Sequence, residues 1–341
     1  MLYICNKSNI MDKLFLKEVL SIPTISKEED LMRDYIVAFA INNNISYKID
    51  NKGNVYLTKG SEKMTQAEYY PCVVSHIDTV HFNQKELVEN NERLVIFEKD
   101  DRLTAYHPTT GEETGIGGDD KCGVFICLSL LERLDVLKAA FFVEEEIGML
   151  GSKEALPEFF ENVGYAIQFD APSANWITEV CSGVKILDEG FKKKVTPILK
   201  KGGYTNFSND PFTDVNQLAQ KFDFNCLNLG CGYYQQHSVK EYVIIEEVKK
   251  SLIVGINLID YLGNKEYIHI KEPKKDLLLE MNYKDIPYES YTDHYDEYAE
   301  EIVDAVLKMD EKGYGSDEIK IEISELLYSK DILKYEYNET K

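Results

Sequence analysis

Five short runs in this 341-residue chain combine histidine or adjacent acids with glycine at spacings that suit metal-assisted chemistry. The first is Val73-Val74-Ser75-His76-Ile77-Asp78. On an extended segment, residues i and i+2 face the same way, so His76 and Asp78 address one site. Imidazole is a good zinc ligand, and a nearby carboxylate orients its second ring nitrogen. Taken alone, the run also fits an ordinary structural histidine. The second is Gly115-Ile116-Gly117-Gly118-Asp119-Asp120-Lys121-Cys122-Gly123. Its glycines permit tight turns. Its two acids precede an apolar helical pattern, where capping and the helix dipole would also account for them. The third, Phe141-Phe142-Val143-Glu144-Glu145-Glu146-Ile147-Gly148, sets three carboxylates side by side. A divalent cation would offset their repulsion and leave one glutamate as a general base; a solvated acidic loop is the plain alternative. Asp170, in Gln168-Phe169-Asp170-Ala171-Pro172, ends another apolar run. The fifth run, His237-Ser238-Val239-Lys240-Glu241-Tyr242-Val243, follows Gly230-Cys231-Gly232.

These runs need a scaffold, and the pattern around them predicts one. Apolar β-rich stretches occur at Asn54–Thr58, Cys72–His76, Leu94–Glu98, Ala140–Glu144, Tyr165–Asp170 and Asn225–Gly230. Helical spacing appears at Cys122–Leu134, Lys153–Phe160, Val215–Phe222 and Val243–Leu262. It also runs from Met11 to about Ile41, broken at Ile22-Pro23-Thr24, because the residue before proline resists helix. Ser26, followed by Glu28 and Glu29, reads as a capped restart. Near-continuous apolar strands alternating with helices predict an α/β fold: a mixed, largely parallel central sheet with helices on both faces. Beyond about residue 270 the composition turns acidic and tyrosine-rich. An acidic linker and helical hairpin are expected over 271–341, a C-terminal helical appendage that could bind another protein.

Read in order, His-x-Asp, Gly-x-Asp-Asp-Lys-x-Gly, Glu-Glu-x-Gly, a strand-end Asp and His-Ser-x-x-Glu resemble the co-catalytic di-zinc peptidases. The likeness is to the peptidase T, carboxypeptidase G and aminoacylase family, with kinship to the di-zinc aminopeptidases. It runs from about residue 11 to 262 and takes in Ile22-Pro23-Thr24-Ile25-Ser26, Glu28-Glu29 and Asp50-Asn51-Lys52-Gly53-Asn54-Val55. The resemblance implies two zinc ions, or cobalt or manganese. His76 and Asp170 would serve one ion, Glu146 and His237 the other, and Asp119 would bridge them. Asp78 would orient His76, Glu145 would be the general base, and Glu144 takes no role. Relatives often join the residues corresponding to Asp119 and Asp120 by a cis peptide. A shared carboxylate suits metals about 3.5–4 Å apart, which lower the pKa of bound water toward about 7. The implied reaction is hydrolysis of amide bonds in short peptides by a zinc-bridging hydroxide, as an aminopeptidase or tripeptidase-type exopeptidase. A carboxypeptidase or N-acyl-amino-acid amidohydrolase is the near alternative. A non-catalytic binding protein on the same fold is the alternative from another class.

One departure stands out. Relatives of the peptidase T type insert a lid domain between the third carboxylate ligand and the last histidine. Here the interval 171–236 must also hold elements of the main domain. The catalytic domain is therefore expected over 1–270, with the lid reduced to a loop at about 173–203. Lys192, Lys193, Lys194, Lys200 and Lys201 fall there, as a solvated face or a basic rim near the site. Trp176 falls there too, for packing or for lining the cleft. His81 and His107 match no ligand position, and His269 and His294 read as structural or solvated.

Composition bounds the remaining choices. Apolar residues at 44% and charged residues at 29% suffice for a packed core, and the length suggests about two domains or one large domain with an appendage. A net charge of −22 disfavours phosphate backbones and anionic lipid surfaces, so neither nucleic acid nor membrane is an expected partner. No apolar run is long enough to span a bilayer, and no secretory signal pattern opens the chain. Seven scattered cysteines without a CxxC suit reduced thiols, so a cytoplasmic location is expected. The oligomeric state is left open.

Overall fold

The computed structural model describes residues 11–66, 68–210 and 212–271. They belong to the first of two units into which the chain divides, Met1–Glu272. The linker and hairpin expected over 271–341 lie outside the described residues apart from Lys271, as does His294.

A nine-stranded sheet forms the centre. Its main path runs β1 (Ser46–Ile49), β2 (Val55–Lys59), β7 (Leu137–Phe142), β3 (Tyr70–His76), β8 (Val163–Gln168), β12 (Asn225–Leu229), β9 (Trp176–Cys181), β10 (Val184–Lys185). The strand β11 (Asn206–Asp210) pairs parallel with β9. The central strands β7, β3, β8 and β12 are mutually parallel, and the flanking β1, β2, β9 and β10 pair antiparallel. Sequence explains the split. Tyr70–His76 is buried at every position, as a strand covered on both faces must be, whereas edge strand Ser46–Ile49 is exposed throughout. A smaller sheet runs β13 (Tyr233–Tyr234), β14 (Tyr242–Ile244), β5 (Arg102–Tyr106), β4 (Val95–Lys99), with β6 (Glu113–Thr114) beside β5.

Among the described residues the α-helices are α1 (Lys13–Leu20), α2 (Asp30–Asn42), α3 (Lys85–Asn90), α4 (Gly118–Arg133), α5 (Leu150–Lys153), α6 (Pro157–Phe160), α7 (Glu189–Lys201), α8 (Asp214–Lys221) and α9 (Ile245–Leu262). Helix α4 is buried from Gly118 to Leu131 because it lies between β3 and β7 on one side and α1 and α9 on the other. An all-round apolar helix requires such a position. Helix α8 packs on β3, β8 and β12. The order of the parallel strands reverses at β3, with β7 on one side and β8 on the other. Crevices beyond the carboxyl ends of strands at such a switch point are where open α/β sheets bind ligands.

Several sequence expectations change in detail. The helix expected over Lys153–Phe160 is broken: α5 ends at Lys153 and α6 begins at Pro157, because Leu156 before Pro157 is extended at φ −66°, ψ 114°. Val243 and Ile244 complete β14, and the following helix begins at Ile245. The Leu94–Glu98 stretch becomes β4 of the smaller sheet. Ser26 caps no helix: its hydroxyl donates to Asp78, and Glu29 precedes the start of α2. The segment 173–203 is not a loop. It supplies β9 and β10 to the central sheet and helix α7, which packs on α9 and buries Phe191, Val195 and Leu199. No disulfide joins the described cysteines, all of them buried. Among the described residues, no helix is long and apolar enough to cross a membrane.

Candidate active site

The carboxyl ends of the four parallel strands converge on one acidic cleft. His76 is the last residue of β3, Glu144–Glu146 follow β7, Asp170 follows β8, and the chain after β12 leads to Tyr233 and His237. Asp119 enters from the first turn of α4, where its backbone is non-helical at φ −80°, ψ 104°, and the Asp119–Asp120 peptide is cis. The cleft has a volume of about 440 Å³ and is lined by Asp119, Glu145, Glu146, Asp170, Tyr233 and His237 among others.

Asp119 sits between the two histidines. Its Oδ1 is 3.2 Å from His76 Nε2 and its Oδ2 is 3.3 Å from His237 Nε2. His76 Nε2 also lies 3.6 Å from Asp170 Oδ1 and 4.0 Å from Glu145 Oε2. His237 Nε2 lies 3.2 Å from Glu146 Oε2. The geometry thus brings together His76, Asp78, Asp119, Glu145, Glu146, Asp170 and His237, all seven residues singled out in the sequence. Glu144 turns away to an ion pair with Lys52 at 2.9 Å.

The electrostatics of the cleft are those of charges crowded together. Burial pushes Glu145 well above the usual carboxylate range, with Asp170, Asp214 and Glu146 adding repulsion. Burial and the Asp119 charge raise Glu146 to about 7 and Asp170 to about 6. Burial alone would raise Asp119 as well, but hydrogen bonds from His237 and His76 outweigh it and hold Asp119 low. Burial opposes protonation of His76, yet its bonds to Asp119, Asp170 and Asp78 raise it. Hydrogen bonds to Asp119 and Glu146 raise His237.

These residues fit a divalent metal. Among the described residues the buried Glu146 Oε1 meets no hydrogen-bond partner, and the donor set is imidazole nitrogen with carboxylate oxygen, the chemistry zinc prefers. His76, Asp119 and Glu146 bring one ligand atom each within 4.8 Å of one another, as do His76, Asp120 and Asp170. In the second set Asp120 is already engaged. Its carboxylate accepts Ser75 Oγ–H at 2.6 Å and the Gly123 N–H at 3.0 Å.

Outer residues fix the inner ones. Asp78 is fully buried, accepts Ser26 Oγ–H at 2.7 Å and stands 3.4 Å from His76 Nδ1. Thr24 and Thr79 tie the Ile22–Ser26 segment to the end of β3 through Ile77 O and Thr24 O, at 2.7 and 2.6 Å. Asn54, held by Asp50, accepts the Val143 N–H at 3.1 Å and donates to Gly151 O at 3.0 Å, bracketing the loop that carries Glu145. Asn228 grips the Asp170 backbone at both N–H and C=O, at 2.9 and 2.7 Å, and Tyr233 donates its hydroxyl to Asp170 Oδ1 at 3.3 Å.

Sequence reasoning missed several of these. Asn228, Tyr233, Asp214 and His81 carry no local signal, since their partners are distant in the chain. Glu241 stood within the fifth run without a role; it is buried and bonds to Gly117, Asp119 and His81. Among the lysines at 192–201, Lys192 pairs with Glu179, and none lines the cleft. Trp176 donates its indole N–H to Asp210, a residue of the cleft wall. His107 accepts the Thr109 N–H in an exposed turn, and His269 is buried.

Comparison with solved structures places this architecture. The aminopeptidase PepT of Bacillus cereus ATCC 10987 matches with a TM-score of 0.60 at 13% identity, over 74% of this chain and 99% of that one. The chain has the fold of a solved peptidase. A tripeptidase of Staphylococcus aureus matches with a TM-score of 0.55 at 14% identity, over 73% and 98% of the two chains. The TET1 peptidase of Pyrococcus horikoshii, which assembles into a tetrahedron or a large octahedral shell, matches with a TM-score of 0.53 at 17% identity, over 74% and 99%. No protein-family model and no curated protein sequence matches.

Proposed function

We propose that this chain is a metal-dependent exopeptidase that removes residues from the amino end of short peptides. The observation that carries this reading is Asp119 facing His76 and His237 through separate oxygens, at 3.2 and 3.3 Å, with the carboxylates of Glu145 and Asp170 beside His76 and that of Glu146 beside His237. His76, Asp119 and Asp170 would hold one zinc, and His237, Asp119 and Glu146 the other; cobalt or manganese would suit the same donors. Such ions supply Lewis acidity and a water of lowered pKa. Glu145 lies on the cleft wall outside both sets. Its buried carboxylate would accept the proton of the attacking water and return it to the departing amine.

The cleft wall favours the amino end. Its charged side chains, among the described residues, are carboxylates and His237. One of them, Asp210, is held by Trp176 Nε1 at 3.2 Å, by Ser208 Oγ at 3.2 Å and by the Thr178 hydroxyl. It presents a fixed negative charge to a substrate ammonium. A carboxypeptidase or N-acyl-amino-acid amidohydrolase would instead have to seat an α-carboxylate beside Asp210. The exposed Phe212 on the same wall offers apolar contact to a peptide side chain.

The deciding experiment is a digest of mixed short peptides by zinc-loaded protein, followed by mass spectrometry. Loss of amino-terminal residues is expected. Loss from the carboxyl end, or deacylation of N-acyl amino acids, would give the site to the alternative. No cleavage at full zinc occupancy would make it a binding protein.

A further inference from the structure

Glu241 lies outside the acidic cluster, yet it holds the loop that carries the cluster's central member. The residue is 1% exposed. Its Oε1 accepts the Asp119 N–H at 3.0 Å, and its Oε2 accepts the Gly117 N–H at 2.9 Å. The same Oε2 is 2.7 Å from His81 Nε2, which must therefore be the donor. Three donors converging on one carboxylate satisfy it in the interior. Glu241 also ends the 237–241 segment that begins with His237, its backbone N–H donating to Ser238 O at 3.1 Å. One side chain thus joins the two stretches of chain that carry Asp119 and His237.

The surrounding packing leaves this arrangement little freedom. A Cβ on Gly118 would come within 2.7 Å of Tyr233 Cβ and of Val243 Cγ2. A Cβ on Gly115 would lie 1.9 Å from His81 Cε1, inside the imidazole that supports Glu241. Glycine lets the backbone approach Tyr233, Val243 and the Glu241 carboxylate at position 118, and the His81 imidazole at position 115.

We propose that Glu241 is a positioning residue: it fixes the Gly117–Asp119 backbone and so aims the Asp119 carboxylate between His76 and His237, with His81 holding Glu241 in place. It is not among the residues lining the cleft, so it acts through Asp119 and not on substrate. The inference rests on reading Asp119 as the shared metal ligand. Without the carboxylate, the N–H groups of Gly117 and Asp119 lose their buried acceptor, and the loop must move to satisfy them.

The test compares the full chain with its Glu241→Gln variant. The amide keeps the volume but turns one acceptor into a donor facing another donor. Zinc affinity is read by competition with a chromophoric chelator, below the melting temperature of both metal-free proteins. It should fall about 10–100-fold, the usual effect of losing a residue that orients a ligand. Turnover of a short peptide should fall through kcat with KM little changed. A merely structural role would lower the melting temperature of the metal-free protein and leave the affinity of the folded protein as in wild type. If Glu241→Gln does not fold, His81→Ala carries the test: it removes one of the three donors, and affinity should fall in the same direction. Wild-type zinc affinity in either folded variant overturns the proposal while leaving the peptidase reading intact. A wild-type protein that binds no zinc overturns both.

Discussion

Asp78 Oδ1 accepts the backbone N–H of Glu145 at 2.9 Å. Its Oδ2 accepts the Glu146 N–H at 3.2 Å, and the same carboxylate faces His76 Nδ1. The carboxylate that orients the imidazole at the end of β3 therefore also sets the loop after β7. Asp78→Asn replaces one of these acceptors with a donor. It should lower zinc affinity and kcat/KM each about 10–100-fold. Chelator competition and steady-state kinetics check this; a loss in kcat/KM without any change in zinc affinity would separate Asp78 from the metal.

Glu145 and the histidines should fail differently. Glu145→Gln should keep the zinc content of wild type and lower turnover about 10²–10⁴-fold, the range expected for a lost general base. His76→Ala and His237→Ala should lose zinc on dialysis against a chelator that leaves wild type loaded. Zinc per chain, measured beside peptide turnover, distinguishes the two patterns. Normal turnover in Glu145→Gln would remove it from the base role.

Asp188 gives a stability test away from the cleft. It caps α7, accepting the Phe191 N–H at 2.8 Å and the Ile270 N–H at 3.1 Å. Burial opposes ionisation, but these bonds outweigh it and lower the carboxyl's pKa. A folded pKa below the unfolded value of about 3.9 means the ionised form favours folding. The contribution is complete above that value and is lost as pH falls through the folded pKa. Asp188→Ala should cost about 1 kcal/mol near neutrality. The difference from wild type should close in acid, as denaturant melts at several pH values would show.

How much of this was legible depended on how local the signal was. The acids and histidines of the cleft could be read because each ends an apolar strand or opens a helix, and their order along the chain is itself a pattern. Residues 173–203 misled. Pro197 lies inside α7, where a proline normally argues against helix, and five lysines mask the apolar face that includes Val195 and Leu199. Trp176–Cys181 alternates only weakly, with a burial pattern that does not follow a period of two, and its partners β11 and β12 lie about 30 and 50 residues further along the chain. Ser26 carries the signature of a helix cap, but a buried carboxylate competes for its hydroxyl and wins. Glu241 and His81 could not be assigned from sequence, since their roles exist only where the segments around 81, 117 and 241 meet.

The most direct measurement is a zinc titration of chelator-stripped protein, followed by release of the amino-terminal residue from an unblocked tripeptide. Activity should be absent at the start, rise with added zinc and level off near two equivalents per chain. Hydrolysis that persists without metal, or that never appears at saturating zinc, would contradict the assignment of His76, Asp119, Glu146, Asp170 and His237 to a co-catalytic metal centre.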